Sequence, residues 1–167
     1  MVVNSKFVEL SDLDIKILTK LDEDGRLSYR HLARDLEVGS PVTIKSHVET
    51  LEEKGVIKNY GVQIDYEKLG YDIIALIELT VSKGKMLEVE KKLAKIPNVF
   101  ALYDITGTYD ALILARFKTR AELSEMIKEE IHSSPYVERT NTHIVLNIIK
   151  EQTSFNKLME IEREKTQ

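Results

Sequence analysis

Three short amphipathic segments lie between residues 10 and 61, and a turn signal separates each from the next. The first begins at Ser11, a favourable N-cap residue, and ends before the turn sequence Asp24-Gly25. Its apolar side chains recur at helical spacing: Leu10, Leu13, Ile17 and Leu21. This pattern predicts a helix over residues 11–22 with one buried face.

The second and third segments repeat this arrangement. Ser28 is placed to cap a second helix, in which Leu32 and Leu36 face inward. Ser40 is placed to cap a third, and Pro41 stands at its first helical position, where a missing amide N–H costs nothing. The third helix has one inward stripe, which comprises Ile44, Val48 and Leu51. Three such helices predict a helix-turn-helix head of the kind that binds DNA.

The segment after the third helix completes the predicted head. Gly55 ends the helix, and residues 56–64 alternate between apolar and polar like a strand. We therefore expect a winged helix-turn-helix over residues 1–64, with a two-stranded wing. The residues of the third helix that point outward are Val42, Thr43, Lys45, Ser46, His47 and Glu49.

The composition is that of a globular protein: 31% of the 167 residues are charged and 43% are hydrophobic. No apolar run approaches the ~20 residues that span a bilayer, and no signal-peptide pattern begins the chain, so we expect a cytoplasmic protein. The chain has no cysteine, which excludes a disulfide framework, a thiolate metal site and a cysteine nucleophile. The formal net charge of −4 permits DNA binding only through a local surface.

Beyond a short polar linker at residues 65–71 the periodicity changes. Six elements are predicted in the order βαββαβ, at residues 72–82, 84–96, 99–105, 111–117, 120–132 and 136–149. This order is the ferredoxin-like arrangement of RAM/ACT-like domains, and it makes the chain an α+β protein. The predicted second domain spans residues 72–150. Residues 151–167 form a charged tail that is either one amphipathic helix or frayed.

Both faces of the predicted sheet are apolar, although two helices cover only one face. One face receives Ile73, Ala75, Ile77, Leu79, Ala111, Ile113 and Ala115. The other receives Ile74, Leu76, Leu112 and Leu114. A second copy of the chain is the simplest cover, so we predict an obligate homodimer and leave open its assembly into a tetramer or octamer.

The order of these elements, together with several short motifs, resembles the Lrp/AsnC (feast/famine) transcription regulators of bacteria and archaea. The motifs run through residues 8–150 and comprise Leu13-Asp14-x-x-Ile17-Leu18, Asp24-Gly25-Arg26, Leu32-Ala33, Ser40-Pro41, Leu51-Glu52-x-x-Gly55-Val56-Ile57, Leu69-Gly70, Gly107-Thr108-Tyr109-Asp110 and Thr140-x-Thr142-x-Ile144-Val145-Leu146. The resemblance implies a dimerising C-terminal sheet, heads that bind palindromic double-stranded DNA, and an amino-acid effector held between dimers. Two departures from the family concern the head. The turn before the third helix is one residue longer, with Glu37 near the customary glycine, and residues 46–50 lack the usual arginines.

The candidate DNA contacts combine the outward face of the third helix with nearby basic side chains. They are Arg30, Arg34, Ser40, Val42, Thr43, Lys45, Ser46, His47, Lys54 and Lys58. Residues 1–60 carry nine Lys and Arg against eleven Asp and Glu, so the positive charge has to be concentrated on one face. Helical spacing also allows His47 to be a half-buried residue beside Val48. The alternative for the whole head is a dimerisation or protein-docking module that no longer reads DNA.

The candidate effector-binding residues lie in one turn and on the last predicted strand: Gly107, Thr108, Tyr109, Asp110, Thr140 and Thr142. Gly107 can adopt a positive φ that lets the backbone approach a ligand. Asp110 can accept from an α-ammonium group, while turn amides can bind the carboxylate. The residues alone favour a β-turn that merely needs glycine and aspartate. The resemblance favours an amino-acid site.

No motif indicates catalysis. The four histidines lack metal-ligand spacing, and the phosphate-binding, nucleophile-elbow and dinucleotide motifs are absent. One enzymatic alternative is the siroheme decarboxylases, which resemble Lrp/AsnC proteins and would need cationic side chains around the sheet. Only His143, Arg116 and Arg139 are available for that role. We therefore predict a regulator with no catalytic residue, no metal and no cofactor other than an amino-acid effector.

Overall fold

The structure is a computed structural model, and its described residues divide into two compact units. The head comprises the described residues up to Gln63 and from Glu151 onward, and the C-terminal domain comprises Ile64–Lys150. The stretches that the structure describes are 7–151 and 155–165. Outside them lie the start of the predicted head and parts of the predicted tail, namely residues 1–6, 152–154 and 166–167.

Three helices build most of the head: α1 (Asp12–Glu23), α2 (Tyr29–Asp35) and α3 (Pro41–Glu53). Each follows the serine that the sequence predicted as its N-cap. The Ser11 hydroxyl accepts from the Asp14 N–H at 3.2 Å, while Asp14 Oδ2 accepts from the Ser11 N–H at 2.8 Å, which forms a reciprocal capping box. Ser28 and Ser40 cap α2 and α3, each by accepting from a backbone N–H at 3.2 Å. The predicted helix starts are confirmed.

One apolar core joins these helices. Four of its buried members come from the predicted stripes, Ile17, Leu32, Ile44 and Val48, and Ala33 joins them. Leu51 on α3 is buried as well. Burial of an aliphatic side chain of this size stabilises the fold by roughly 1.5–3 kcal/mol. The core therefore fixes which face of α3 points inward and which faces solvent.

The turn between α2 and α3 places a glutamate where glycine is favoured. Both helices end in a Schellman motif, in which an N–H beyond the cap bonds to a carbonyl of the last turn, as from Val38 to Ala33 at 2.8 Å. The residue just after each cap is left-handed. After α3 it is Gly55, with φ 70°, but after α2 it is Glu37, with φ 54°. A Cβ atom strains this backbone conformation.

Residues 56–64 do not form the predicted strand. The N–H groups of Val56 and Ile57 both donate to the Leu51 carbonyl, at 2.9 and 3.2 Å, and the chain from residue 58 to 64 is exposed and irregular. A strand needs a neighbouring strand for its N–H and C=O groups. The head has none in the stretches 7–63 and 155–165. The predicted two-stranded wing over residues 56–64 is therefore wrong, while the predicted fold class is unchanged.

The C-terminal domain is the predicted βαββαβ unit. Its elements are β1 (Ile73–Val81), α4 (Met86–Leu93), β2 (Val99–Asp104), β3 (Ala111–Phe117), α5 (Arg120–Met126) with a following π-helical turn (Ile127–His132), and β4 (Val137–Ile144). The strand order is β2-β3-β1-β4, and every neighbouring pair is antiparallel. A short 3₁₀ turn, Glu67–Leu69, precedes β1. The ferredoxin-like prediction is confirmed.

Strand β4 is shorter than predicted. The alternating pattern runs over residues 136–149, but β4 ends at Ile144, which pairs with Ala75 near the start of β1 at Ile73. The last bond between the two segments joins the Val145 N–H to the Ile74 carbonyl at 2.9 Å. From residue 146 to 151 the backbone pairs with no strand among the residues that the structure describes, so the predicted end of the strand is wrong.

Helices α4 and α5 cover one face of the sheet. That face and the helices supply the core: Ala75, Ile77, Leu79, Val81, Val89, Leu93, Ala111, Ile113, Ala115, Phe117, Leu123, Met126 and Ile131. The opposite face, here called the open face, carries the second apolar set, which is Ile74, Leu76, Leu112 and Leu114. Leu76 and Leu114 are direct cross-strand partners. The prediction of two apolar faces is confirmed.

Replacing Glu37 by glycine is expected to stabilise the head by about 0.5–1 kcal/mol, because glycine adopts the left-handed conformation without a Cβ clash. Amide hydrogen exchange in α2 and α3 should slow by about 2- to 5-fold. The control is Glu37→Ala, which removes the same charge but keeps the Cβ atom. Equal slowing by both substitutions would make the charge, and not the backbone, the cause.

Candidate DNA-binding face and effector site

The outer face of α3 presents short side chains to solvent. Val42 is 72% exposed, and Thr43 and Ser46 are exposed as well. The Thr50 hydroxyl donates to the Ser46 carbonyl at 2.8 Å, so it is satisfied within the helix. Short side chains on an exposed helix allow close approach to base edges in the major groove. The structure thus brings three of the predicted base contacts onto one accessible surface.

Two of the predicted basic contacts are already paired with carboxylates. Lys45 Nζ lies 3.5 Å from Glu49 Oε1, one helical turn further on, and Arg34 Nε lies 3.2 Å from Asp35 Oδ1. The other predicted basic residues are exposed and form no ion pair with any residue that the structure describes: Arg30, Lys54 and Lys58. Exposed pairs are worth less than about 1 kcal/mol, so a phosphate can compete for Lys45 and Arg34. The neighbouring carboxylates still lower the local positive potential.

Ser40 and His47 have roles inside the head. Ser40 caps α3, as described above. His47 Nδ1 lies 2.7 Å from Asp14 Oδ1 and so joins α3 to α1, and both side chains are mostly shielded from solvent. Burial would raise the pKa of Asp14, but hydrogen bonds from His47 and Ser11 outweigh it and hold the pKa of this carboxyl below its usual value. His47 is therefore the half-buried residue that helical spacing allowed.

The predicted effector turn joins β2 to β3. Gly107 has a φ of 130°, which favours glycine, and it is exposed together with Thr108. Asp110 is held firmly by β1: its Oδ2 accepts from the Val81 N–H at 2.8 Å, and its own N–H donates to the Leu79 carbonyl at 2.9 Å. One carboxylate oxygen thus has a structural role, as the β-turn interpretation expects.

Strand β4 brings Thr140 to the same end of the sheet. Thr140 pairs with Leu79, the residue of β1 whose carbonyl accepts from Asp110. Its hydroxyl lies 3.0 Å from His132 Nε2, a contact that the sequence did not predict. Thr142 pairs with Ile77, two residues further along β1. Asp110 and Thr140 therefore flank one residue of the central strand, while Thr142 lies further away.

Two family profiles match the chain in this order. Residues 10–58 match the winged helix-turn-helix DNA-binding profile, and residues 74–155 match the Lrp/AsnC ligand binding domain. An uncharacterized HTH-type transcriptional regulator of Pyrococcus furiosus is 42% identical over 144 residues, which cover 86% of this chain and 96% of the relative. The HTH-type transcriptional regulator FL11 of the same organism is 37% identical over an alignment that covers 86% of this chain and 94% of FL11. The chain belongs to the Lrp/AsnC family of transcriptional regulators.

Solved structures of the family share the fold of this Lrp/AsnC chain. E. coli AsnC superposes with a TM-score of 0.83 at 27% identity, over 87% of this chain and 98% of AsnC. A transcriptional regulator of Neisseria meningitidis, solved in complex with L-Met, superposes with a TM-score of 0.80 at 28% identity. The match covers 90% of this chain and 99% of the Neisseria protein. The agreement extends over head and C-terminal domain alike, as the sequence resemblance implied.

The comparisons also decide against an enzyme. The matched relatives are HTH-type transcriptional regulators, as predicted, and the two domains are a DNA-binding and a ligand-binding domain. Among the described residues no group of three His, Asp or Glu side chains is arranged to hold a metal ion. Within the same stretches no helix is both long and apolar enough to cross a membrane.

Two of the three side chains considered for a tetrapyrrole contact neighbours on the open face. The Arg116 guanidinium lies 5.0 Å from the centre of the Tyr66 ring and 4.7 Å from that of Phe100, beside a cavity of about 320 Å³. His143 Nε2 lies 3.4 Å from Glu78 Oε2. Arg139 is four residues before His143 on β4, so the three cationic groups do not form one cluster.

A carboxyl pair lies next to the effector turn of this Lrp/AsnC chain. Glu90 on α4 shares a hydrogen bond with Asp104, the last residue of β2, and this bond together with burial raises the pKa of Glu90 to about 7. Sequence reasoning missed the pair, because no local pattern relates a helix residue to the end of the following strand.

The pH dependence of this pair is testable. The folded-state pKa of Glu90, about 7, is above its ordinary value of 4.5, so the pair stabilises the domain fully below pH 4.5 and the contribution is lost as pH rises through about 7. Glu90→Gln keeps a hydrogen bond to Asp104 without the second charge. The Tm difference between pH 5 and pH 8 should therefore shrink in this variant.

The matched control is Glu125→Gln, at an exposed glutamate of α5, which should keep the wild-type pH dependence. Circular dichroism measures the Tm of each variant. If the Tm difference between pH 5 and pH 8 is the same in Glu90→Gln as in the wild type, the pair does not govern the pH dependence of stability.

Proposed function

We propose that this Lrp/AsnC chain is a sequence-specific DNA-binding transcriptional regulator whose DNA affinity or oligomeric state is modulated by an amino acid or related small metabolite. The observation that carries the proposal is the two-faced geometry of α3. Its inner face is buried in the head core, while Val42, Thr43 and Ser46 on the outer face are exposed. This is how a recognition helix presents side chains to the major groove.

The regulator acts as a homodimer that forms through the open face. Leu76, Leu112 and Leu114 are half-buried on that face and are not covered by α4 or α5, whereas Ile74 beside them is already buried within one chain. Glu78 of β1 lies between Leu112 and Asn141 on the same face, and its Oε2 accepts from the Asn141 Nδ2 at 2.9 Å. Apolar side chains beside a hydrogen-bonded polar pair are typical of an interface between subunits. A two-fold axis would also present two heads to a palindromic site.

The effector site is the turn Gly107–Asp110 together with Thr140. Three observations support it. The Gly107 backbone is exposed, one oxygen of Asp110 is left to accept from an ammonium group, and the Thr140 hydroxyl lies on the neighbouring edge strand. The Neisseria relative, a complex with L-Met, supports an amino acid as the chemical class. Tyr109 lies within this turn, and Thr142, the last member of the predicted set, lies two residues beyond Thr140 on β4.

Linkage connects the two sites. An effector that binds one assembly or domain arrangement more tightly than another shifts the equilibrium by its difference in affinity. Because the spacing of the heads differs between such states, operator affinity changes with effector concentration. The chain thereby couples the supply of an amino acid to transcription.

The negative charge of the head favours one competing function. Residues 1–60 carry more carboxylates than basic side chains, and Glu49 stands on the outer face of α3 beside Lys45. A head with this charge is suited to bind a protein partner. The competing function is therefore an effector-binding oligomer whose head binds DNA only weakly. Selection of bound fragments from a random duplex pool at ~150 mM salt, with and without an amino-acid mixture, distinguishes the two functions. An enriched palindrome supports the regulator, and no enrichment in either condition supports the competitor.

Charge substitutions on α3 test the DNA-binding face directly. Lys45→Gln should make the slope of log K against log salt less negative by about 2 in a dimer, because each head loses one phosphate contact. Glu49→Gln should raise DNA affinity by removing repulsion. Fluorescence anisotropy with the selected fragment measures both effects. Lys91→Gln, at an exposed lysine of α4, is the control, and equal effects at Lys91 and Lys45 would contradict the assignment.

A charge on the open face tests the dimer. Leu114→Glu places a carboxylate at the apolar centre, so the variant should sediment as a monomer at micromolar concentration while the wild type sediments as a dimer. Leu87→Glu is the matched control, since Leu87 is 62% exposed on α4. A wild-type monomer, or a Leu114→Glu dimer of unchanged affinity, would show that the open face is not the interface.

A further inference from the structure

The segment that leads into β1 places two tyrosines side by side. Tyr66 and Tyr71 flank the 3₁₀ turn Glu67–Leu69, and the Tyr71 N–H donates to the Tyr66 carbonyl at 2.9 Å. Gly70 closes this turn with a φ of 85°, in the left-handed region that favours glycine. The two rings meet edge to face, with 6.3 Å between their centres. The turn therefore presents an aromatic wall beside the start of β1.

Strands β2 and β3 bring a third ring and a cation to this wall. The Arg116 guanidinium of β3 lies over both the Tyr66 ring and the Phe100 ring of β2, at 5.0 and 4.7 Å from their centres. Asn98 fixes the backbone of Arg116 on both sides: its Nδ2 donates to the Arg116 carbonyl at 2.8 Å, and its carbonyl accepts from the Arg116 N–H at 2.9 Å. One cation is thus held against two aromatic faces.

These groups border a cavity of about 320 Å³, here called the aromatic cavity. Its lining is Tyr66, Tyr71, Pro97, Asn98, Phe100 and Arg116. All six belong to the C-terminal domain. Tyr66 and Phe100 are 41% and 45% exposed, so solvent reaches two of the rings. A stack that served packing alone would leave no such space, because protein interiors are filled to the density of organic crystals.

The chemistry of this lining suits a ring that carries a negative charge. Of the six described residues that line the cavity, three are aromatic, one is a cation and none is a carboxylate. A ligand ring packs well against aromatic side chains. A guanidinium carries five N–H donors in a planar fork that matches a carboxylate, so Arg116 can bind one alongside its other contacts. Small-molecule pockets range from about 300 to 1,000 Å³, which makes this cavity one for a small ligand.

A neighbouring cavity of about 510 Å³ provides a contrast. It shares Tyr71, Pro97 and Asn98, but Lys118 and four glutamates line it in place of Arg116 and Phe100. The two cavities therefore differ in charge, and an anion is suited only to the aromatic cavity.

The aromatic cavity is separate from the proposed effector site. Arg116 is five residues from Ala111 on β3, and Ala111 directly follows the turn Gly107–Asp110. At about 3.4 Å per residue, roughly 17 Å of strand separates Arg116 from that turn.

We propose that the aromatic cavity is a second small-molecule site, and that its ligand is a small aromatic carboxylate. The ring of the ligand packs against Tyr66, Tyr71 and Phe100, and its carboxylate binds the Arg116 guanidinium. The site goes beyond the proposed function, because binding here needs neither DNA nor the effector turn.

The test measures the binding of radiolabelled benzoate by equilibrium dialysis. The full chain is used in its own oligomeric state, because Arg116 pairs with Ile74 on the open face, through which the proposed dimer forms. Two unlabelled competitors separate the two features of the ligand. Benzyl alcohol keeps the ring without the charge, and cyclohexanecarboxylate keeps the charge without the aromatic ring. Each should bind more weakly than benzoate, by about 2- to 10-fold for the loss of the aromatic contacts and about 10-fold or more for the loss of the charge.

Substitutions in the cavity assign the site. Arg116→Gln should weaken benzoate binding by about 10-fold or more, since it removes the charged partner of the carboxylate. Tyr66→Leu should weaken binding by about 2- to 10-fold, and it changes no strand residue, so it remains informative if Arg116→Gln disturbs the sheet. Thermal unfolding followed by circular dichroism reports whether each variant is folded.

Three matched controls lie outside the cavity. Arg139→Gln makes the same change at an exposed arginine of β4, and Tyr103→Leu makes the same change at a tyrosine of β2 that is 54% exposed. Thr108→Ala alters the exposed effector turn. All three should bind benzoate as the wild type does.

The proposal is overturned if benzoate does not bind, if all three compounds bind equally well, or if folded Arg116→Gln and Tyr66→Leu bind benzoate like the wild type. Equal losses in the cavity variants and the controls would also overturn it, because the ligand would then lie elsewhere. A chain that binds benzoate as expected but selects no DNA fragment would contradict the proposed regulator and leave this site standing. A chain that selects a palindrome but binds no benzoate would do the reverse.

Discussion

The pairing of β1 with β3 on one side and β4 on the other sets the position of nearly every feature of the C-terminal domain. Leu79 pairs with Ala111 and Thr140, and its carbonyl also accepts from Asp110, so one residue of β1 aligns the turn, the edge strand and the core. Because side chains alternate along a strand, a slip of one residue would exchange the core face with the open face. The register thereby decides which apolar side chains are covered by helices and which lie on the open face.

The helices of the head are held together without a large positive charge. The apolar core and the bond between His47 and Asp14 align them. The outer face of α3 consequently depends on short polar and apolar groups, with Lys45 partly neutralised by Glu49.

The carboxyl pair of Glu90 and Asp104 joins α4 to the sheet beside the turn Gly107–Asp110, because Asp104 is the last residue of β2. The pKa of Glu90 therefore links the stability of this end of the sheet to pH.

The sequence by itself determined the helix starts, the order βαββαβ and the two apolar faces. Each of these follows from interactions between residues a few positions apart: a serine hydroxyl and the N–H groups after it, or side chains at helical or alternating spacing. Only the tertiary structure decided that residues 56–64 have no strand partner and that β4 stops at Ile144, since a strand continues only where a neighbouring strand pairs with it. The contacts of His47 with Asp14 and of Asp110 with β1, and the packing of α6 (Phe155–Lys165) against α1, were decided in the same way. They join residues far apart in the chain, and which partner such a residue meets depends on the packing of whole elements and not on its local pattern.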